Sequence, residues 1–394
     1  MNILLCSWAN IFEPDIIDAL QSMGHQIYKI TLPISDPFSD SYYMTHLSRQ
    51  MIDMKCDFVF SVNYIPVVSM ACSIHQMKYV SWIADSPCFE LNSYTISNTC
   101  NYIFIFDKIL YQSCYKESPQ TVYYLPLGSN TKRLDNIRLY KHELDKYQSD
   151  ISFVGSLYTF RSKYNKVMLP AYWKGYFEGI IESQLLIYGY NLIHDTLSDD
   201  AVNAFAKAAD WNDQPGLMES GKLCRLDIRS IIADNYIGRE CSRRERFRAF
   251  NEISKHFHFD LYTNESTSEL PLVNSKGTIE PFEDAFKIYK ASKINLNITS
   301  KTIQSGLPLR IFDILGAGGF LITNFQTELP EYFEIDKDLV VYENLNDLIH
   351  KISYYLSHEE ERLTIAQNGY QKVKKYYQFQ FQIQKMLAVV FESN

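Results

Sequence analysis

Residues 294–323, INLNITSKTIQSGLPLRIFDILGAGGFLIT, decide the fold. Ile294–Ile298 reads as a short apolar strand, 308–317 has helical spacing, and Gly319–Thr323 is a second apolar run. A strand, a crossover helix and a strand in so short a space form a parallel unit whose helix covers one face of a sheet. The intervening loop holds Ser300, Lys301, Thr302, Gln304, Ser305 and Gly306, and the helix opens at Leu307-Pro308, where proline is favoured in the first turn. Backbone N–H groups at a helix start, with the helix dipole behind them, make an anion site. There Gly306 would let a diphosphate approach the backbone, and Lys301 or Arg310 would add charge. Asp313, roughly one and a half turns in, would accept hydrogen bonds from ribose hydroxyls. Taken locally, the same residues also fit an ordinary turn with Gly and Pro as punctuation.

The alternation extends outward. Before residue 130, apolar runs at Ile3–Cys6, Gln26–Ile30, Phe58–Val62, Tyr79–Ile83, Tyr102–Phe106 and Val122–Leu125 are separated by segments of helical spacing. Residues 136–150 are polar and read as a linker. A second series starts at Ile151–Gly155, is interrupted by a helical insertion over about 165–238, and resumes at Phe259–Thr263. The expected fold class is α/β, with two Rossmann-like domains: 1–135, then 151–375, with 376–394 as a final helix. Parallel sheets bind ligands beyond the carboxyl ends of their strands, which puts Trp8, Asn10, Asn63, Asp85 and Gly128–Asn130 on one rim. The first strand lacks G-x-G-x-x-G, which disfavours a plain NAD enzyme.

The chain has 394 residues, too many for one ordinary core. Its net charge of −8 argues against nucleic acid as a partner. No two of its eight cysteines are separated by only two residues, so no zinc knuckle or redox pair is visible, and a reducing cytoplasmic setting is expected. No run approaches the roughly 20 apolar residues of a membrane span, which leaves peripheral membrane contact open. Asp336-x-Asp338 lies in a polar loop before a strand, where such triplets arise often by chance, His256 and His258 have no third ligand in sequence, and no metal is expected.

Phe153-Val154-Gly155-Ser156-Leu157-Tyr158, the 293–297 strand, Leu309-Arg310-Ile311-Phe312-Asp313, Gly316-Ala317-Gly318-Gly319, Trp82–Pro87 and Asn368-Gly369-Tyr370 together resemble the spore-maturation, CgeB-like glycosyltransferases. The resemblance spans nearly the whole chain. It implies a GT-B fold, in which two Rossmann-like domains face a cleft, with a nucleotide-sugar donor, UDP-sugar first, on the C-terminal domain and the last helix crossing back to the first domain. It implies a metal-independent, hexosyltransferase-like enzyme acting on a glycan, protein or small-molecule acceptor. On the donor side it implies Gly155, Ser156, Arg161, Thr263, Glu280, Pro281, Lys301, Ser305, Gly306, Leu307, Arg310 and Asp313. Retaining relatives carry Glu-x7-Glu here; this chain has Ser305 and Asp313, so the first carboxylate is missing. That departure keeps a non-catalytic carbohydrate-binding or assembly protein of the same fold as a rival, beside a nucleotide-sugar epimerase.

Asp85 ends a buried-looking strand beside Trp82, a stacking surface for an acceptor together with Trp8, Asn10 and Asn63. Its carboxylate is placed to take the acceptor proton as general base; an Asp capping the turn before Pro87 is the plainer reading. Ser242-x-x-Glu245 reads as a capping box at a helix start, with the arginines around it on a solvated face.

Overall fold

The computed structural model describes residues 1–7, 12–211, 224–225 and 227–392. They form two units. The first comprises Met1–Leu127 with the described residues of Asp210–Asp227 and Phe379–Asn394; the second comprises Gly128–Ala209 and Ile228–Gln378.

In the first unit, β1 (Asn2–Cys6), β2 (Gln26–Ile30), β3 (Phe58–Val62), β4 (Tyr79–Trp82), β5 (Asn101–Ile105) and β6 (Val122–Tyr124) make one sheet in the order β2-β1-β3-β4-β5-β6. Every pairing is parallel, with Ile3 opposite Phe58 and Val59 opposite Tyr79. The runs are apolar on consecutive residues because both faces are covered; Leu4, Val59 and Ile103 pack with Val67, Val68 and Ala71 of the helix Pro66–Ile74. The helix Phe379–Glu392 completes this unit. Phe379 stacks on Phe12 at 6.0 Å and meets Trp82 edge-on at 5.5 Å. At the other end, Lys78 Nζ donates to the Val390 carbonyl at 2.5 Å and lies over the Phe391 ring.

In the second unit, β7 (Ser149–Val154), β8 (Phe259–Tyr262), β9 (Asn274–Gly277), β10 (Ser292–Asn297), β11 (Leu321–Asn324) and β12 (Val340–Tyr342) form a parallel sheet in the order β12-β11-β10-β7-β8-β9. The order reverses between β7 and β10, where a doubly wound sheet opens a crevice at its carboxyl edge. The sequence pattern located every strand but β9, the run Leu339–Tyr342 marking β12; the β9 residues NSKG are polar because it is a short edge strand. Helices Arg239–His256, Asp284–Ala291 and Leu309–Gly316 fill the connections.

Two sequence expectations change. Residues 136–150 are an integral part of the second unit: the helix Lys141–Tyr147 buries Tyr147, and Glu143 meets Lys287 at 2.8 Å. Ser242 lies inside the helix Arg239–His256, which continues from the π-helical turn Ile232–Gly238, so its hydroxyl donates back to the Gly238 carbonyl at 2.8 Å and caps nothing. Between 165 and 209 the second unit carries the helices Ala171–Leu185 and Asp199–Ala208, whereas the described residues of 210–227 belong to the first unit, so the expected insertion does not run unbroken to 238 within the second unit. No helix among the described residues is long and apolar enough to cross a membrane.

Candidate functional site

The crevice between β7 and β10 gathers most of the chemistry of the second unit. After β7 the chain turns at Gly155, whose φ of +153° is open to glycine and whose hydrogen faces Arg310: a Cβ there would lie 2.5 Å from Arg310 Nη2. The next amides do not point at open space. Glu265, just beyond β8, accepts from the backbone N–H of Leu157 (2.8 Å), Tyr158 (3.3 Å) and Thr159 (2.6 Å), and from the Ser156 and Thr159 hydroxyls. Thr263 supports it, accepting the Glu265 N–H at 3.3 Å. Burial by itself would raise the Glu265 carboxyl, but the bonds from Ser156, Thr159 and Leu157 outweigh it and hold the group below its ordinary range. The amides of Leu157, Tyr158 and Thr159 are therefore occupied by the protein's own carboxylate.

Three guanidinium groups stand beside this loop. Arg246, only 3% exposed, donates to the Ser156 carbonyl and, at 2.7 Å, to the Ile298 carbonyl, tying the loop after β7 to the loop after β10. Burial, with Arg310 nearby, pushes Arg246 down to about 10, which leaves it charged at neutral pH. Arg310 donates to Asn297 Oδ1 at 3.1 Å with its head 5.0 Å from the Phe153 ring. Arg161 is exposed and lies 5.8 Å from the Tyr158 ring, whose other neighbour is Arg246 at 4.6 Å. Burial alone would raise the Tyr158 phenol; the charge of Arg246, a bond with Ser300, then Arg161 and Arg310 bring it below its ordinary range.

The loop 298–308 departs from expectation. Lys301 is buried and turned into the unit, 3.4 Å from Glu245 and over the Tyr188 ring at 4.1 Å, so its charge is spent internally. Ser305 Oγ donates to buried Glu328, from the loop after β11, at 2.6 Å. Gly306 and Leu307 are buried, while Asp313 is half-buried and accepts weakly from Ser129 Oγ at 3.4 Å. Glu280 and Pro281 follow β9 on the same edge. The Glu280 carboxylate accepts the Glu283 N–H at 2.6 Å and so shapes its own turn. That turn borders a cavity of about 560 Å³ where Arg133 lies over the Phe282 ring at 3.9 Å.

In the first unit, Asn63 follows β3 in the left-handed region, φ +59°. Its side-chain oxygen accepts the N–H of Ala84 (2.8 Å) and Asp85 (3.2 Å), and its amide donates to Asp85 Oδ2 at 2.7 Å. Asp85 is thereby an exposed carboxylate held in a fixed direction at the carboxyl edge of the sheet. Trp82 is not a stacking surface: it is fully buried, with Phe12 and Phe379 edge-on against its ring. Trp8 and Asn10 lie outside the described residues.

Sequence reasoning missed Glu265, Glu328 and the special place of Arg246. For Arg246 a signal existed: it shares a helical stripe with Ser242, Ala249, Phe250 and Ile253, all buried. A solvated arginine does not fall on an apolar stripe. Glu265 carried no such mark, since its partners are more than a hundred residues away in sequence.

Residues 239–388, under half of the chain, match the family model described as glycosyl transferase-like. No curated protein matches. Among solved structures, a glycosyltransferase from Rickettsia africae is similar with a TM-score of 0.57 at 13% identity, covering 99% of this chain and 98% of that one. Sucrose-phosphate synthase from Thermosynechococcus elongatus gives 0.57 at 9%, and Anabaena HepE, solved with UDP-glucose, 0.55 at 10%; both coverages are 100% of each chain. The fold is GT-B, and residues 239–388 resemble the glycosyl transferase-like family.

Proposed function

We propose that this protein is a glycosyltransferase that binds a nucleotide-diphosphate sugar, UDP-sugar first, in the β7–β10 crevice of its second unit, and transfers the sugar to a hydroxyl-bearing acceptor with Asp85 as general base. The observation that carries the donor assignment is the collection of Arg161, Arg246 and Arg310 at the reversal of strand order. As the bond from the sugar to the diphosphate breaks, negative charge grows on the leaving nucleotide, and preoriented guanidinium groups stabilise it without reorganising. This makes the chemistry metal-independent in our reading, within the cytoplasm. HepE, of like fold, was solved with UDP-glucose. Asp313 would take the ribose, and Asp85, fixed by Asn63, the acceptor proton. The CgeB-like branch is the finer assignment that the sequence motifs favour.

A thermal-shift panel of nucleoside diphosphates and nucleotide sugars without added metal tests this. A ligand at about 100 times its Kd should add about 2.7 kcal/mol. The expected result is a shift for one nucleotide family, lost in Asp313→Ala and kept in Asp85→Ala, with Asp85→Ala losing transfer. No shift with any nucleotide would remove the donor assignment.

A further inference from the structure

A run of successive backbone N–H groups that curls around a point is an anion nest. In the second unit that nest, the N–H groups of Leu157, Tyr158 and Thr159, encloses Glu265. A carboxylate has about four lone-pair sites; here three amides and two hydroxyls saturate both oxygens. The consequence reaches Tyr158, which sits at φ +65°, a conformation that a bulky residue keeps only when its surroundings over-determine it. In that conformation its ring lies between Arg246 and Arg161.

We propose that Glu265 is the positioning residue of the donor loop: it fills the nest, holds Tyr158 as the platform for the arginines, and leaves the donor diphosphate to be gripped by Arg161 and Arg310 side chains instead of by the loop backbone. This rests on the donor assignment above. The alternative for a carboxylate in a nest is a placeholder that an incoming phosphate displaces. Five donors held at once, with Tyr158 in the left-handed region, favour the lock, because displacement would release that conformation. The lock has a pH sense. Glu265 is shifted downward from its ordinary 4.5, so the lock is complete above that value and is lost as pH falls through the lowered one.

The test uses the full chain, isothermal titration with UDP (then GDP, ADP and dTDP if UDP is silent), and amide hydrogen exchange. In Glu265→Gln the amide sets an N–H against N–H donors. Affinity for the nucleotide should fall at least about tenfold, and exchange at Leu157 and Thr159 should accelerate while the β7 and β10 amides stay protected. Glu265→Asp, which keeps the charge, should recover part of the affinity. Thr159→Val removes one donor and should show a smaller loss of the same kind, which keeps the test sound should Glu265→Gln fold poorly. Unchanged or tighter nucleotide binding in Glu265→Gln overturns the lock and supports the placeholder, as does unchanged exchange at Leu157 and Thr159. If the wild-type chain binds none of the four nucleotides, the donor assignment fails and takes the gripping role with it, whatever the exchange shows. Nucleotide binding that survives all three substitutions leaves the donor assignment standing and sinks only the proposal for Glu265.

Discussion

Arg246→Met should cost about 3 kcal/mol of stability in the second unit and abolish measurable nucleotide binding. Methionine replaces the buried stem but not the guanidinium head, which packs near the Phe153 and Tyr158 rings. Beyond that packing, the loss comes from two carbonyl acceptors, Ser156 and Ile298, deprived of a charged donor that bridges them. Hydrogen bonds to charged groups are worth about 1.5–3 kcal/mol each, and one of the two oxygens retains partial access to water. The bridge is also geometric. It fixes the loops after β7 and β10 to one another where the crevice opens. Arg246→Lys separates charge from geometry, because an ammonium is a single point of donation and cannot replace the planar fork that spans both carbonyls. It should regain part of the stability but little of the affinity. Urea unfolding and nucleotide titration of both variants check this. Loss of less than about 1 kcal/mol with normal affinity in Arg246→Met would show that the bridge is incidental.

Gly369→Ala should lower stability by about 1 kcal/mol although alanine is the better helix former. Gly369 lies in the helix Glu359–Tyr376, and a Cβ there would be 2.3 Å from the Asp338 carbonyl oxygen and 2.7 Å from Leu315 Cδ2. The carbonyl belongs to a backbone that cannot yield easily. Asp338 is held by its N–H to the Glu334 carbonyl (2.8 Å), by its carboxylate to the Glu334 N–H (2.8 Å), and by Lys372 at 3.5 Å. Overpacking of this kind costs about 1–3 kcal/mol, exceeding the roughly 1 kcal/mol that Ala offers over Gly in a helix. Gly175→Ala is the matched control: it is also in a helix, but with no atom within 4 Å of the new Cβ. It should raise stability by about 0.5–1 kcal/mol. Thermal unfolding of the pair reads the difference, and a stabilised Gly369→Ala would mean that the helix can slide off Asp338.

The same residues show why some of the site was legible in advance. Arg310 and Asp313 sit at fixed offsets from a strand and a helix whose periods are local, so sequence order alone put them past the carboxyl end of β10, while Gly155 came from the family resemblance. Asp85 was legible for the same reason, as the residue just past β4. Trp82 and Lys301 were misread because their environments come from distant segments. Phe379, nearly three hundred positions later, covers the tryptophan, and Glu245 captures the lysine that otherwise resembles a phosphate ligand.

Alternating short apolar runs and amphipathic helices were enough to determine two doubly wound parallel sheets, because burial on both faces leaves a period that needs no partner to be seen. Only the tertiary structure decided which cations remain beside the β7–β10 crevice, that the loop amides there are filled by Glu265, and that Ser305 bonds the Glu328 carboxylate. The physical reason is range. Backbone periodicity is set by neighbours along the chain, whereas a charge is spent or left available according to whichever opposite group the folded chain brings within hydrogen-bonding distance.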